Sequence, residues 1–307
     1  MPATRPIATN ALEAPPKDDG LFGPDSVTWR MIASPAYAVV GTAAALYQML
    51  HPRVMRMIDQ ASSFRQNPEL RGELTGEYTV TITFGDTEQA EKAGAALRYI
   101  HSIMKATDPQ TGLEYRPDEP ELLMWVHCTL TWTAIENAAR FGPALTPAEQ
   151  DQFVTEQKVA ARLVGIDPEK APSTMAELES YLQSMRPWMA FIGEAQWFRE
   201  LMVPTGLIPN LESLLNRWIR QAAVGILPPD ARELYGFRYS RWRQWFVRAF
   251  AGLILRSAAS KEPYDTAVTN LRQYASAHTF GQKAKQLNQQ RLAQLRERAA
   301  AARAQKT

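Results

Sequence analysis

Four histidines and one cysteine carry most of the ligand and nucleophile chemistry open to this chain: His51, His101, His127, His278 and Cys128. A lone thiol excludes an internal disulfide and any zinc site built on two or more cysteines. A histidine-rich metal cluster would need nearly all four imidazoles. The position three before each histidine holds Gln48, Arg98, Met124 or Ala275, so the Glu-x-x-His pair of carboxylate di-iron bundles is absent. No H-E-x-x-H, P-loop, G-x-S-x-G or G-x-G-x-x-G occurs, and no two of the 16 glycines stand in G-x-G spacing. What remains is a single histidine on an apolar helix. That suits a cofactor needing one protein ligand, of which haem is the commonest.

Two histidines qualify. His101 follows Leu97, Gly94 and Ala90 on one helical line. Two of these three are small, and a flat macrocycle lying along a helix needs such low relief beside its ligand. A core histidine satisfied by hydrogen bonds would leave the same pattern. His127 sits in Leu122-Leu123-Met124-Trp125-Val126-His127-Cys128-Thr129-Leu130 and shares a face with Leu123, Leu130 and Ala134; it reads as a brace of the core or a neighbour of the site. Cys128, about 100° round the helix from His127, has no basic neighbour to lower its pKa and reads as a small buried thiol. His51 precedes Pro52 at a helix end, and His278 borders a basic tail.

The elements that must position these groups are helical. Ala93, Leu97, Ile100 and Met104 mark one face of a helix over 88–106, capped by Asp86 or Thr87 and stopped at Asp108-Pro109. Helices are also expected over 121–140, from Thr146-Pro147-Ala148-Glu149 in capping-box spacing, from Ser173 towards Met185, and over 187–201, 210–223 and 239–259. Proline-rich connectors at 204–209 and 227–230 separate the last three. Tyr78 to Phe84 alternates β-branched and aromatic residues, as a strand would. A single strand has nowhere to pair, so tertiary context should make it helical.

Composition fits a globular chain: 307 residues, 45% hydrophobic and 21% charged, with Lys+Arg 34 against Asp+Glu 32, a net charge of +2. That balance argues against a protein built to coat nucleic acid. From Met31 to Pro52 no residue carries a formal charge. The run is long enough to span a bilayer, but it holds two prolines and many alanines, so it reads as a buried helix, with membrane contact as the alternative. Residues 281–307 carry Lys283, Lys285, Arg291, Arg296, Arg298, Arg303 and Lys306 against Glu297, a net +6, in an expected exposed helix that could meet an acidic partner or an anionic membrane surface. The organisation expected is a disordered tail over 1–19, one helical domain over 20–280 and the basic helix over 281–307. No apolar leader stands near the start, so a cytoplasmic location is expected.

The order of segments then becomes specific. Leu21-Phe22-Gly23-Pro24-Asp25-Ser26-Val27-Thr28-Trp29-Arg30 leads into an apolar helix ending Leu50-His51-Pro52. Arg71-Gly72-Glu73-Leu74-Thr75, Phe84-Gly85-Asp86, Ile100-His101, Tyr115-Arg116-Pro117-Asp118 and the Leu122–Leu130 run follow, with Leu227-Pro228-Pro229 and Leu234-Tyr235-Gly236 later. Over roughly residues 21–250 this resembles the haem-oxygenase family of the latex-clearing rubber oxygenase and the fungal MpaB enzyme. The resemblance implies an all-α, loosely globin-like bundle binding haem b, with His101 as axial iron ligand and Gly94 and Leu97 beside it. His101 stands 101 − 71 = 30 residues after Arg71, the first residue of an R-x-x-x-T element whose Arg71 and Thr75 the resemblance places on the oxygen side. Two departures stand out: Leu74 occupies a position where the rubber enzyme has a lysine, and Lys105 one where the family often has glycine.

What this implies is an oxygenase that activates O2 at haem iron and acts on a hydrophobic small molecule, an isoprenoid or other alkene, by oxidative cleavage. Arg71 and Thr75 would donate hydrogen bonds to oxygen, or Arg71 would pair with a haem propionate. The helices over 36–50 and 122–130 would line an apolar pocket. Two alternatives remain: a haem-binding sensor or carrier without turnover, and a cofactor-free helical interaction protein using the basic tail and several of the eight tryptophans.

Overall fold

The computed structural model describes residues 16–62, 64–202, 211–261, 263–278 and 280–281. The chain folds as an all-α protein. In chain order the helices are α1 (Val27–Ile32), α2 (Val40–Gln48), α3 (Pro52–Ala61), α4 (Pro68–Phe84) and α5 (Thr87–Ile103), then α6 (Pro120–Phe141), α7 (Pro147–Val164), α8 (Met175–Met185) and α9 (Gln196–Met202), and finally α10 (Leu211–Ile226), α11 (Pro229–Leu234), α12 (Arg241–Lys261) and α13 (Tyr264–Ala277). A minimal antiparallel ribbon, β1 (Ala106–Thr107) and β2 (Glu114–Tyr115), pairs Ala106 with Tyr115 between α5 and α6.

Local signals set these boundaries. Asp86 caps α5 in a full capping box with Gln89, and Thr146 does the same for α7 with Glu149. Tyr78 to Phe84 is helical, the last turns of α4. Its apolar residues are consumed by packing: Ile82 lies in a cluster with Ala90, Ala93 and Leu163, and Phe84 in one with Trp29 and Ala33. Burial on two sides outweighs β propensity, which is a weak preference.

The uncharged run is not one long helix. Ser34 caps a 3-10 turn beginning at Pro35, and α2 starts only at Val40. Val39, Val40, Leu46 and Leu50 are fully buried in the main core, where α2 packs along α6. Among the described residues no helix is long and apolar enough to cross a membrane.

Two further expectations need correction. The stretch 187–201 is broken: a 3-10 turn ends at Trp188, the Ala190 N–H donates to the Leu50 carbonyl at 2.8 Å, and α9 begins only at Gln196. Docking onto the α2–α3 junction replaces the missing helical turns. The N-terminal tail does not stay loose to residue 19, because Asp18 Oδ1 accepts from the Gly20 and Thr87 N–H groups at 2.8 Å and Arg272 pairs with Asp19 at 2.8 Å. Residues 1–15 and 282–307, with most of the expected tail and basic helix, and the connector 203–210 lie outside the described residues.

Candidate functional site

The site grows out of the α4–α5 hairpin. Asn67 Oδ1 accepts from the Leu70 N–H at 3.1 Å and Pro68 takes the first helical position, which fixes the start of α4. At the far end the chain turns through Gly85 and Asp86. A Cβ at Gly85 would stand 2.5 Å from the Thr81 carbonyl oxygen, so only glycine fits that corner. The two helices therefore run back to back at nearly equal length. Arg71 lies 85 − 71 = 14 residues before the corner and His101 lies 101 − 85 = 16 after it. At the helical rise these are about 21 and 24 Å from the turn, so both reach the same open end of the hairpin. The thirty-residue separation is a helix out and a helix back.

At that end the polar groups are desolvated and unmet. The His101 Nδ1 is buried without a hydrogen-bond partner. Burial, and then the positive charge of Arg71, push its pKa down to about 4, with Asp118 opposing. The ring is therefore neutral at pH 7, the state a metal ligand needs. Arg71 is surrounded by protein, which disfavours its charge, yet part of its surface stays accessible. Those two facts describe a side chain that is desolvated yet still open to solvent on one side. Among the described residues Arg71 makes no ion pair; its guanidinium donates to Thr75 Oγ1 at 3.5 Å.

Arg71 and Thr75 do share one face, as their spacing implies. The hydroxyl proton of Thr75, however, goes to the Arg71 carbonyl oxygen at 2.9 Å. Thr75 is thus an acceptor for the guanidinium and not a donor to the space around it in this rotamer. Beside it Gly72 and Gly76 have open space where a Cβ would stand. Tyr78, next along the line 71–75–78, has a buried hydroxyl without a hydrogen-bond partner, and burial raises its pKa well above the usual phenol range. Sequence reasoning passed over Tyr78 as part of a strand-like run, although the 71–75–78 spacing would have grouped it with the arginine.

Gly94 has a different neighbour from the one its position beside His101 suggests. A Cβ there would come within 2.9 Å of Leu163 Cδ2 and 3.0 Å of the Leu163 carbonyl oxygen, and Arg98 donates to that same carbonyl at 2.6 Å. The low relief at Ala90 and Gly94 lets α5 approach α7 closely and does not front a flat ligand. Leu97 is half-buried one turn before His101.

The remaining candidates fall into order around this end. Among the described residues His127 on α6 makes no side-chain hydrogen bond, and burial alone lowers its pKa to about 4. Part of its surface also stays accessible. His51 precedes α3, with Nδ1 buried and unmet, its ring 6.0 Å from that of Trp125, and its pKa lowered to about 4 by burial and Arg53. Arg53, unlike Arg71, has a carboxylate, Glu119, at 2.5 Å. Cys128 is fully buried and its pKa is pushed up to about 12, so it stays a thiol. His278 is exposed and rests on the ring of Tyr274 at 4.1 Å. The expected pocket helices α2 and α6 pack on each other, α2 also on α10 and α6 also on α7, α8 and α12; Gly41, on the accessible side of α2, has open space where a Cβ would stand.

A family model described as "ER-bound oxygenase mpaB/B'/Rubber oxygenase, catalytic domain" matches residues 29–256. No curated protein and no solved structure matches the chain.

Proposed function

The chain belongs to the mpaB/rubber oxygenase catalytic-domain family and is an oxygenase, and from that premise we propose that it binds haem b at the open end of the α4–α5 hairpin through His101. The observation carrying this reading is a desolvated arginine, without a carboxylate partner among the described residues, near a neutral imidazole whose buried nitrogen is unmet. Such groups are costly to bury unless a ligand completes them. The donor set fits haem: one imidazole for iron and one cation for a propionate or for oxygen, with open space beside them at the exposed Gly72 and Gly76. Among the described residues no three of His, Cys, Asp or Glu gather as a metal site, and haem needs only one such ligand because its macrocycle supplies the others.

When bound, haem supplies activation of O2; the chain does the rest. His101 offers its ring in the neutral state, which Arg71 reinforces by raising the cost of protonation. Arg71 presents N–H donors towards negative charge, and Thr75 holds the guanidinium by accepting from it. With its own proton given to the backbone, Thr75 is a positioning residue. Leu74 puts no amine beside Thr75, so no lysine stands there to occupy the iron. Tyr78 keeps its proton at any physiological pH and is a second donor on that line. The accessible side of α2 at Gly41 and the half-buried His127 and Leu130 of α6 offer an apolar wall for a hydrophobic, alkene-containing substrate, cleaved oxidatively at its double bond.

The test is spectroscopic. The purified chain mixed with hemin should show a Soret band at about one haem per chain. His101→Ala should lose it and His127→Ala should keep most of it; the reverse result would move the ligand to α6. Dioxygen consumed with carbonyl products from an isoprenoid-like alkene would support turnover, whereas a stable oxygenated or ferric form with every alkene tried would reduce the reading to haem binding alone.

A further inference from the structure

Helix α12 carries a surface that the oxygenase chemistry does not use. Its sequence holds Arg241, Arg243, Arg248, Arg256 and Lys261 and no acidic residue. One side is structural: Val247 and Ala251 are buried and the helix packs on α6 and α10. The other side faces water with large apolar groups, Trp242 at 83% exposure, Trp245 at 62%, Phe246 at 59% and Leu253 at 68%. Trp242, Phe246, Ala249 and Leu253 follow at i, i+4, i+7 and i+11, a single line along the helix. The exposed Arg243 and Arg248 flank that line on opposite sides. Next to it, a groove of about 630 Å³ between α10 and α12 is lined by Arg217, Trp218, Gln221, Arg243, Phe246 and Val247. Arg243 is held towards that groove, donating to Gln221 Oε1 at 2.6 Å.

We propose that this face docks the protein on the surface of an anionic phospholipid bilayer. Trp242, Trp245, Phe246 and Leu253 enter at the level of the headgroups, and Arg217, Arg243 and Arg248 meet lipid phosphates. Indole and phenyl rings flanked by arginines are the side chains that a bilayer–water boundary selects, and isolated apolar side chains on a surface would not come with a one-signed rim. Charge argues against the other occupants. A two-fold contact with a second copy would set these arginines against themselves. The chain's own segment 282–307 carries seven basic residues against Glu297, so it is repelled by α12 and adds to the pull of an anionic surface. Docking here is independent of the haem reading, because none of these residues belongs to the hairpin site.

The full-length chain should co-sediment with vesicles of phosphatidylcholine containing about 30 mol % phosphatidylserine and far less with phosphatidylcholine alone, and added salt should weaken it. Tryptophan emission should shift to the blue on binding. The triple variant Trp242→Ser, Trp245→Ser, Phe246→Ser changes only exposed side chains; with an unchanged melting profile, it should bind at least about tenfold more weakly. Arg217→Gln and Arg248→Gln should each cost roughly fivefold on anionic vesicles. Absence of any partition into anionic vesicles at low salt would overturn the proposal. So would undiminished binding by the triple variant, which would assign attachment to the basic tail, or a dimer that the triple variant splits in a chain that ignores vesicles.

Discussion

The α2–α6 core and the open end of the α4–α5 hairpin differ in what surrounds their buried polar atoms. In the core several are tied to the backbone, although the Thr133 hydroxyl, Asn137 Oδ1 and His51 Nδ1 are unmet. The Trp125 indole donates to the Gln48 carbonyl at 2.9 Å, and the Gln48 side chain returns the bond to the Val126 carbonyl at 3.2 Å. Tyr235 donates to the Leu46 carbonyl at 2.8 Å, and Thr129 to the Trp125 carbonyl at 2.7 Å. At the hairpin end the His101 Nδ1 has no such partner, nor has the hydroxyl of Tyr78 in the middle of α4, and Arg71 has no carboxylate among the described residues. A folded chain satisfies most of what it buries. The difference that separates the two regions is the cation: beside the unmet imidazole of His51, Arg53 is paired with Glu119, whereas beside that of His101, Arg71 has no carboxylate among the described residues.

The sharpest way to test that contrast is to cut each region. Trp125→Ala removes a fully buried indole that packs edge-on against Tyr47 at 5.3 Å between centroids and closes the reciprocal bond with Gln48. It should lower unfolding free energy by about 3–5 kcal/mol, measured by denaturant titration of the haem-free chain. A loss under about 1 kcal/mol would mean that α2 and α6 are not the structural core.

Acid probes both regions at once. His51, His101 and His127 each have a pKa lowered to about 4, against an unfolded value near 6.5. Between those limits the unfolded chain takes up protons that the folded chain refuses. The histidine contribution should be complete above about pH 6.5, fall as the pH drops towards 4 and level off below it, where protonation of carboxylates held low, such as Glu88 and Glu149, continues the loss. His127→Leu should take one proton out of that slope, at most about 1.4 kcal/mol per pH unit. Denaturation midpoints recorded between pH 7 and 4 decide it, and a slope identical in the variant would show that His127 is free to protonate in the fold.

Part of the hairpin was legible from residues alone. A cap at Asp86 or Thr87 and the lone histidine on a helix follow from local rules of capping and periodicity, whereas Arg71 and Thr75 were singled out by the family resemblance. What was not legible depends on neighbours far away in sequence. Gly94 looks like low relief beside a ligand until Leu163, on another helix, is found filling the space. Thr75 looks like a donor until its proton is found on the Arg71 carbonyl. Tyr78 looks like part of a strand because β propensity carries no information about the α5 and α7 residues that bury Ile82. The break over 187–201 has the same origin, since the Leu50 carbonyl that captures Ala190 lies far back in the chain.

The smallest effect is the most discriminating, because it compares two arginines. Arg56 is largely buried and meets Asp108 at 2.9 Å and Glu194 at 3.3 Å; Arg56→Met leaves both carboxylates without their cation and should cost on the order of 2–3 kcal/mol. Arg71 meets no carboxylate among the described residues. Replacing a desolvated, unpaired cation by an apolar chain of similar length removes a penalty and leaves no counter-charge stranded. Arg71→Met should therefore change the stability of the haem-free chain by less than about 1 kcal/mol, with the sign towards stabilisation. The same substitution should weaken hemin binding, because the group lost is the one kept in reserve for an anion. A haem-free chain that Arg71→Met destabilises as much as Arg56→Met would mean that Arg71 has a structural partner after all, and the distinction between the two ends of the molecule would fail at its most specific residue.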